Sequence, residues 1–237
     1  MIPSPEIAHA RFLASRSQTT KAAGREYAAT LETLPDGSTL RGVTARSASV
    51  AGRDALRVEL TDQITTQGIP GVDYVDQPTY VELPVTLRTG SIEVDILSRL
   101  NRKTTFDSRA FAGIAFHASA DASAFQSVYL RPLNGRKADP PPPRDRRAIQ
   151  YFAYPEWPFD TLRDQRPDEG YEAAADIGPD EWITLNVRID EDVITARVDG
   201  TAVLRVERLL AAPIDGAVGL FVDIGTEAFF SNLTISQ

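Results

Sequence analysis

Ile183-Thr184-Leu185-Asn186-Val187-Arg188-Ile189 alternates apolar and polar side chains without a break. A period of two puts the four aliphatic residues on one face, which is the pattern of a half-buried strand. Asp190-Glu191-Asp192 then turns the chain and Val193 to Val198 runs back. Asp199-Gly200 makes a tight hairpin turn, and Ala202 to Val206 follows. Three strands joined this way are antiparallel neighbours in a sheet.

The same punctuation recurs on both sides. Leu56, Val58 and Leu60 alternate with Arg57 and Glu59 after the Gly52-Arg53-Asp54 turn, and Pro35-Asp36-Gly37 marks an earlier turn. Residues 79–88 read as a strand, and Thr89-Gly90 leads into Ile92, Val94 and Ile96 alternating with Glu93 and Asp95. Phe111 to Phe116 is too apolar to face water on either side and reads as a central strand. Residues 217–223 and 228–236 complete the set. Ser4, Pro5 and Glu6 open a short helix signal carrying Ile7, Phe12 and Leu13. The chain shows no internal repeat, no linker and no long helix. Residues 1–40 are expected to form an N-terminal arm packing on a single all-β domain of residues 41–237, a sandwich or a barrel.

Composition excludes several functions. A net charge of −8 and a pI near 4.9 argue against nucleic-acid binding. With no cysteine there is no disulfide and no thiolate chemistry, and two histidines make a histidine-rich metal site a poor expectation. No apolar run reaches membrane-spanning length, and the N-terminus lacks the charge and apolar pattern of a signal peptide, so a cytoplasmic location is expected. Oligomeric state is not encoded in any pattern here.

The chemistry-bearing stretch is Tyr129 to Glu172. Tyr129-Leu130-Arg131-Pro132-Leu133-Asn134 precedes a long loop over 132–148, in which Pro140 to Pro143 should hold a polyproline II spacer presenting Arg144, Arg146 and Arg147. Alternation places Tyr129 with Arg131 on one face, then Gln150, Phe152 and Tyr154 on one face of the next strand with Tyr151 on the other. Glu172, Ala174 and Asp176 would line a third strand. Aromatic rings beside planar donors and acceptors suit a polar ligand with apolar faces. Tyr151, Tyr154 or Trp157 would stack on a sugar ring, while Arg131, Asn134, Arg147, Gln150 and Arg163 bond its hydroxyls. In a catalytic variant Glu172 supplies acid/base chemistry. His117, at the end of the apolar strand, is expected to be structural.

The blocks Gly90-Ser-Ile-Glu-Val-Asp95, Phe111-Ala-Gly-Ile-Ala-Phe116, Val128-Tyr-Leu-Arg-Pro-Leu-Asn-Gly135, Gln150-Tyr151, Glu181-Trp-Ile183 and Phe229-Phe-Ser-Asn-Leu233 resemble concanavalin A-like lectin/glucanase domains. Within them they look most like the laminin G-like and 3-keto-disaccharide hydrolase-like branch. The resemblance covers residues 41–237. It implies a jelly-roll β-sandwich of two antiparallel sheets with a carbohydrate or other small-molecule ligand on the concave face. It does not imply one reaction, since the superfamily spans lectins, glycosidases, lyases and adhesion modules. Laminarinase-type members carry Glu-x-Asp-x-(x)-Glu on one strand, and Glu93 and Asp95 match its first two acids as candidate catalytic residues. Leu97 and Ser98 stand where the third should be. Retaining hydrolysis needs two carboxyls about 5 Å apart, so this match is broken. No cofactor is expected: Asp190-Glu191-Asp192 could take a structural calcium ion, of the kind laminin G-like domains often bind, but a hairpin tip with three acids is more often simply solvated. Three readings stay open: a glycan-binding module, a glycoside hydrolase or lyase, and an enzyme on a non-sugar anionic metabolite.

Overall fold

A computed structural model describes residues 25–237. The helix signal between Ser4 and Leu13 lies outside them. In chain order the first strands are β1 (Glu26–Ala29), β2 (Thr39–Arg41), β3 (Val43–Val50), β4 (Arg53–Leu60), β5 (Tyr80–Leu87) and β6 (Gly90–Leu100). Then come β7 (Ala112–Ala118), β8 (Phe125–Leu130), β9 (Ile149–Tyr154), β10 (Glu172–Ala173) and β11 (Ile183–Asp190). The last are β12 (Val193–Val198), β13 (Thr201–Val206), β14 (Gly216–Val222) and β15 (Thr226–Ser236). Two short helices interrupt them, α1 (Asp62–Gln67) and α2 (Phe159–Gln165), neither long nor apolar enough to cross a membrane.

The strands form an all-β jelly-roll sandwich of two antiparallel sheets. The eight-stranded sheet runs β13-β12-β11-β6-β15-β4-β3, with β1 paired to the end of β15, and the seven-stranded sheet runs β10-β9-β8-β7-β14-β5-β2. Part of the expected N-terminal arm is therefore strand: Glu26 pairs with Ser236, and Arg41 with Tyr80. Alternation explains the larger sheet directly. Ile92, Val94, Ile96, Leu185, Val187 and Ile189 are buried, while Glu93, Arg188 and Asp190 are exposed.

The seven-stranded sheet is buried on both faces along β7, β8 and β9. On β9 the Tyr151 hydroxyl accepts the amide of Leu210 from beyond β13, so the face of Ile149, Tyr151 and Ala153 looks towards the larger sheet. The opposite face carries a row that takes one residue from every strand: Glu172, Gln150, Tyr129, Gly113, Phe221, Tyr80 and Arg41. Gly113 lets its neighbours close over it, with the Tyr129 and Phe221 rings 5.5 Å apart. Tyr80 and Phe125 sit three strands apart, about 14 Å at ~4.8 Å per strand. Their rings nevertheless meet at 5.3 Å, so the sheet curves towards this face. Gly219 leaves room for that approach: a Cβ there would lie 2.6 Å from Tyr80 Cδ2.

Gly219→Ala is expected to force the fully buried Tyr80 ring out of place and to destabilise the domain by about 1–3 kcal/mol. Urea unfolding followed by fluorescence measures this; an unchanged midpoint would show that the aromatic layer is not tightly packed there.

Candidate functional site

At the β10 end of the curved face Glu172 is the meeting point of three arginines. Arg131 Nη1 donates to its Oε1 at 2.6 Å, Arg163 donates to both oxygens, with Nε to Oε2 at 3.0 Å, and Arg147 Nε lies 3.3 Å from Oε2. Each arrives on a different element. Arg131 directly follows β8, Arg147 closes the long loop just before β9, and Arg163 lies in the last turn of α2, where a cation also suits the helix dipole. Burial pushes the Glu172 carboxyl up, but the hydrogen bonds and charges of Arg163 and Arg131 outweigh it and hold it below the ordinary glutamate value. Arg147 is lowered too, which in a base works against the charged form: burial and the neighbouring Arg163 charge are the causes. Its terminal nitrogens donate to no group among the described residues.

The cluster stands between two hollows that share Arg147 and Arg163 as their common wall. The larger, of about 410 Å³, runs past Glu172, Gln150 and Tyr171 to Pro143 and Asp168. The smaller, of about 280 Å³, is walled by Phe106, Phe111 and Phe159 and floored by Tyr129, Asp76 and Asp223. Arg131 bridges the floor. Its Nη2 donates to the Tyr129 hydroxyl at 2.5 Å, and its guanidinium lies over the Tyr129 and Phe159 rings at 5.0 and 5.3 Å.

Asp76 and Asp223 are the residues that sequence reasoning missed. Asp223 follows β14 and accepts the backbone amides of Val75, Asp76 and Ile224 at 3.0, 2.9 and 2.7 Å. Val75 and Asp76 are both left-handed, with φ of 68° and 56°, a region that a β-branched residue enters at a cost. The Asp76 carboxyl accepts the amide of Phe159, the first residue of α2, at 2.6 Å. Burial first, then the neighbouring Asp223 carboxylate, push Asp76 up to about 7, against the Phe159 amide, Arg131 and the Tyr129 hydroxyl. Burial also raises Asp223. One signal was available: an acid inside the apolar run Leu220 to Ile224 is out of pattern.

The remaining expected site residues divide. Tyr129, Arg131, Arg147, Gln150, Arg163 and Glu172 come together, and Gln150 leaves its buried Oε1 unpartnered. Asn134 lines the smaller hollow but is engaged by the long loop, accepting from Arg144 Nε at 3.1 Å and donating to the Arg147 carbonyl at 3.1 Å. The expected polyproline spacer ends there: Pro143, at φ −88° and ψ 8°, leads into a 3-10 turn over Arg144–Arg146. The expected stacking platforms lie elsewhere. Tyr151 is fully buried on the inter-sheet face, its hydroxyl donating to Gln126, whose amide donates in turn to His117 Nδ1 at 2.9 Å. That chain, closed by His117 Nε2 on the Arg88 carbonyl, makes the histidine structural, and burial lowers its pKa. Tyr154 stacks on Phe125 at 5.3 Å. Trp157 sits in a separate hollow under the Arg166 guanidinium.

Glu93 and Asp95 belong to the other sheet. Asp95 is held by Arg53, Thr184 and Asn232, and Glu93 by Asn186, remote in the fold from Glu172. Among the described residues no three acidic or histidine side chains converge to hold a metal ion, and at the Asp190 hairpin tip Asp190 pairs with Arg188.

No family model matches the chain, and no curated protein matches it. Solved structures do. A carbohydrate binding module, CBM66, from Bacillus subtilis superposes with a TM-score of 0.51 at 13% identity, over 84% of this chain and 98% of that one. A Bacillus subtilis protein of unknown function with a galectin-like fold gives 0.53 at 10% identity, over 90% and 98%. This chain has a concanavalin A-like, lectin-type β-sandwich fold. The likeness is of fold alone and selects neither the laminin G-like nor the disaccharide-hydrolase-like branch. In this lectin-type sandwich the curved face carries a buried aromatic layer, and an arginine ion-pair cluster lies at one end of it.

The Asp76 carboxyl gives a pH signature. A carboxyl whose folded pKa is raised adds stability that is full below its unfolded value, near 3.8, and lost as the pH rises through about 7. Asp76→Asn keeps an acceptor for the Phe159 amide and removes the charge. At pH 8 the variant should therefore be more stable than the parent, by ~1–4 kcal/mol, and the two should converge at pH 4. Urea unfolding at both pH values tests this, and a parent more stable at pH 8 would contradict it.

Proposed function

We propose that the chain binds an acidic sugar in the arginine-walled cleft. The observation that carries this is the charge imbalance at Glu172, where three buried or half-buried guanidiniums face one carboxylate in a chain whose net charge is −8. A second anion beside Arg147 and Arg163 would complete the pairing, and arginine offers a carboxylate two parallel donors. Tyr151 is buried, and the half-buried Tyr154 and Trp157 each have a face taken, by Phe125 and Arg166, and line neither hollow of the cleft, so recognition falls to the arginines and to the walls of the smaller hollow. The carbohydrate class draws support from the fold shared with the Bacillus subtilis protein whose name is carbohydrate binding module.

Arg147 is the variant of choice because its terminal nitrogens are uncommitted. Calorimetric titration with glucuronate or galacturonate should give saturable binding that Arg147→Ala weakens roughly 10- to 100-fold, the worth of a charge-assisted hydrogen bond. Neutral glucose should bind far more weakly, and the variant should leave it unchanged. Equal binding of neutral and acidic sugars, indifferent to Arg147, would overturn the proposal.

A processing role is the second reading, favoured by Asp76, since an acid that keeps its proton near neutral pH is what a general acid requires. Release of reducing ends from an acidic oligosaccharide is its test. Binding without any release leaves the protein a binding module.

A further inference from the structure

The smaller hollow presents two unfilled hydrogen-bonding capacities at its floor. Asp76 takes the amide of Phe159 and faces the Tyr129 hydroxyl, while a carboxylate can accept about four hydrogen bonds. The Tyr129 hydroxyl accepts from Arg131 and turns its own proton towards Asp76, which orients the carboxyl. Arg131, only 3% exposed, leaves Nε with no partner. Acceptor and donor sit under apolar ring walls in about 280 Å³.

The backbone adds a second, independent observation. Two consecutive non-glycine residues, Val75 and Asp76, are held left-handed by the Asp223 carboxylate, and the result is an acid aimed at the floor beside another acid. Capping α2 does not require this, because a serine, threonine, asparagine or aspartate at position 158 would cap it locally, where the chain has proline. The strain persists where it places a group for use.

Resting on the reading of the cleft as an acidic-sugar site, we propose that Asp76 is its specificity-determining residue. It receives a ring hydroxyl in the smaller hollow, flanked by Tyr129, while the ligand's carboxylate lies at the Arg147–Arg163 wall. The ligand class is then a polyhydroxylated carboxylic acid, and an acid of the same size without hydroxyls is rejected. A site built to bond a hydroxyl discriminates strongly against the analogue lacking it, because its buried polar groups are left unpaired. A carboxyl near half-ionisation at neutral pH suits this task, since a hydroxyl can either give to it or take from it.

The test compares glucuronate with cyclohexanecarboxylate by calorimetric titration at pH 7 on the folded parent, Asp76→Asn, Tyr129→Phe and Arg147→Ala. The parent should prefer glucuronate by about tenfold or more. Asp76→Asn and Tyr129→Phe should each weaken glucuronate by about tenfold and leave cyclohexanecarboxylate unchanged, whereas Arg147→Ala weakens both. The two floor variants back each other up should one fail to fold, as judged by thermal melting. Equal binding of both acids by the parent, or floor variants that bind glucuronate as the parent does, overturns the role of Asp76 while arginine-dependent binding leaves the acidic-ligand reading standing. No binding of either acid overturns both.

Discussion

The carboxylate of Glu172 is the constraint on which the site depends. Around it gather the end of β8, the close of the long loop, the last turn of α2 and the short strand β10, four segments that share little else. A buried charge pair is a weak source of net stability, but removing one partner leaves an uncompensated charge, which typically costs about 3–5 kcal/mol. Here the demand runs in both directions. Arg131 is buried enough that it needs Glu172, and Glu172 is shared with Arg163 so that Arg147, at 3.3 Å, keeps its terminal nitrogens for another acceptor. Local structure and electrostatic demand for a further anion therefore have the same origin.

The second buried centre works by opposite means. Asp223 gathers three amides and so fixes a backbone turn that its residues would not choose, and the turn delivers Asp76 next to it. Two acids close together resist ionisation, and burial adds to that resistance. Proteins carry such unfavourable arrangements where the surrounding packing overrides them, and the aromatic layer of Tyr129, Phe152, Phe125 and Phe221 supplies that packing beneath the floor.

Where a strand has one wet face, its alternation was readable: Ile183 to Val206 and the start of β6 lie where period two put them, while on β4 the expected polar face of Arg57 and Glu59 is closed by ion pairs and largely buried. That Tyr129 and Arg131 share a face followed from the same periodicity, whereas the register that sets Glu172 beside Gln150, on a strand that ends at Ala173, did not. The aromatic residues were harder. Tyr151 and Tyr154 alternate correctly, but alternation cannot tell which face of a doubly buried strand meets the other sheet. The helix over Phe159–Gln165 is too short for a periodic signal, and with it went the partner of Asp76. Asp76 itself lies in an irregular segment whose left-handed residues are not glycines, and its anchor is 147 residues away in sequence. Nothing local announces a contact of that kind.

The row from Glu172 to Arg41 crosses seven strands and takes one residue from each. Side chains on neighbouring positions of a strand point to opposite faces, so inserting or deleting one residue within any of these strands would send its member of the row into the sandwich interior. The loops between them carry no such requirement. Lineages of this chain should therefore vary freely in the length of their turns while keeping strand lengths nearly fixed. Where a strand does change length, a compensating bulge should be found on the same side of the row.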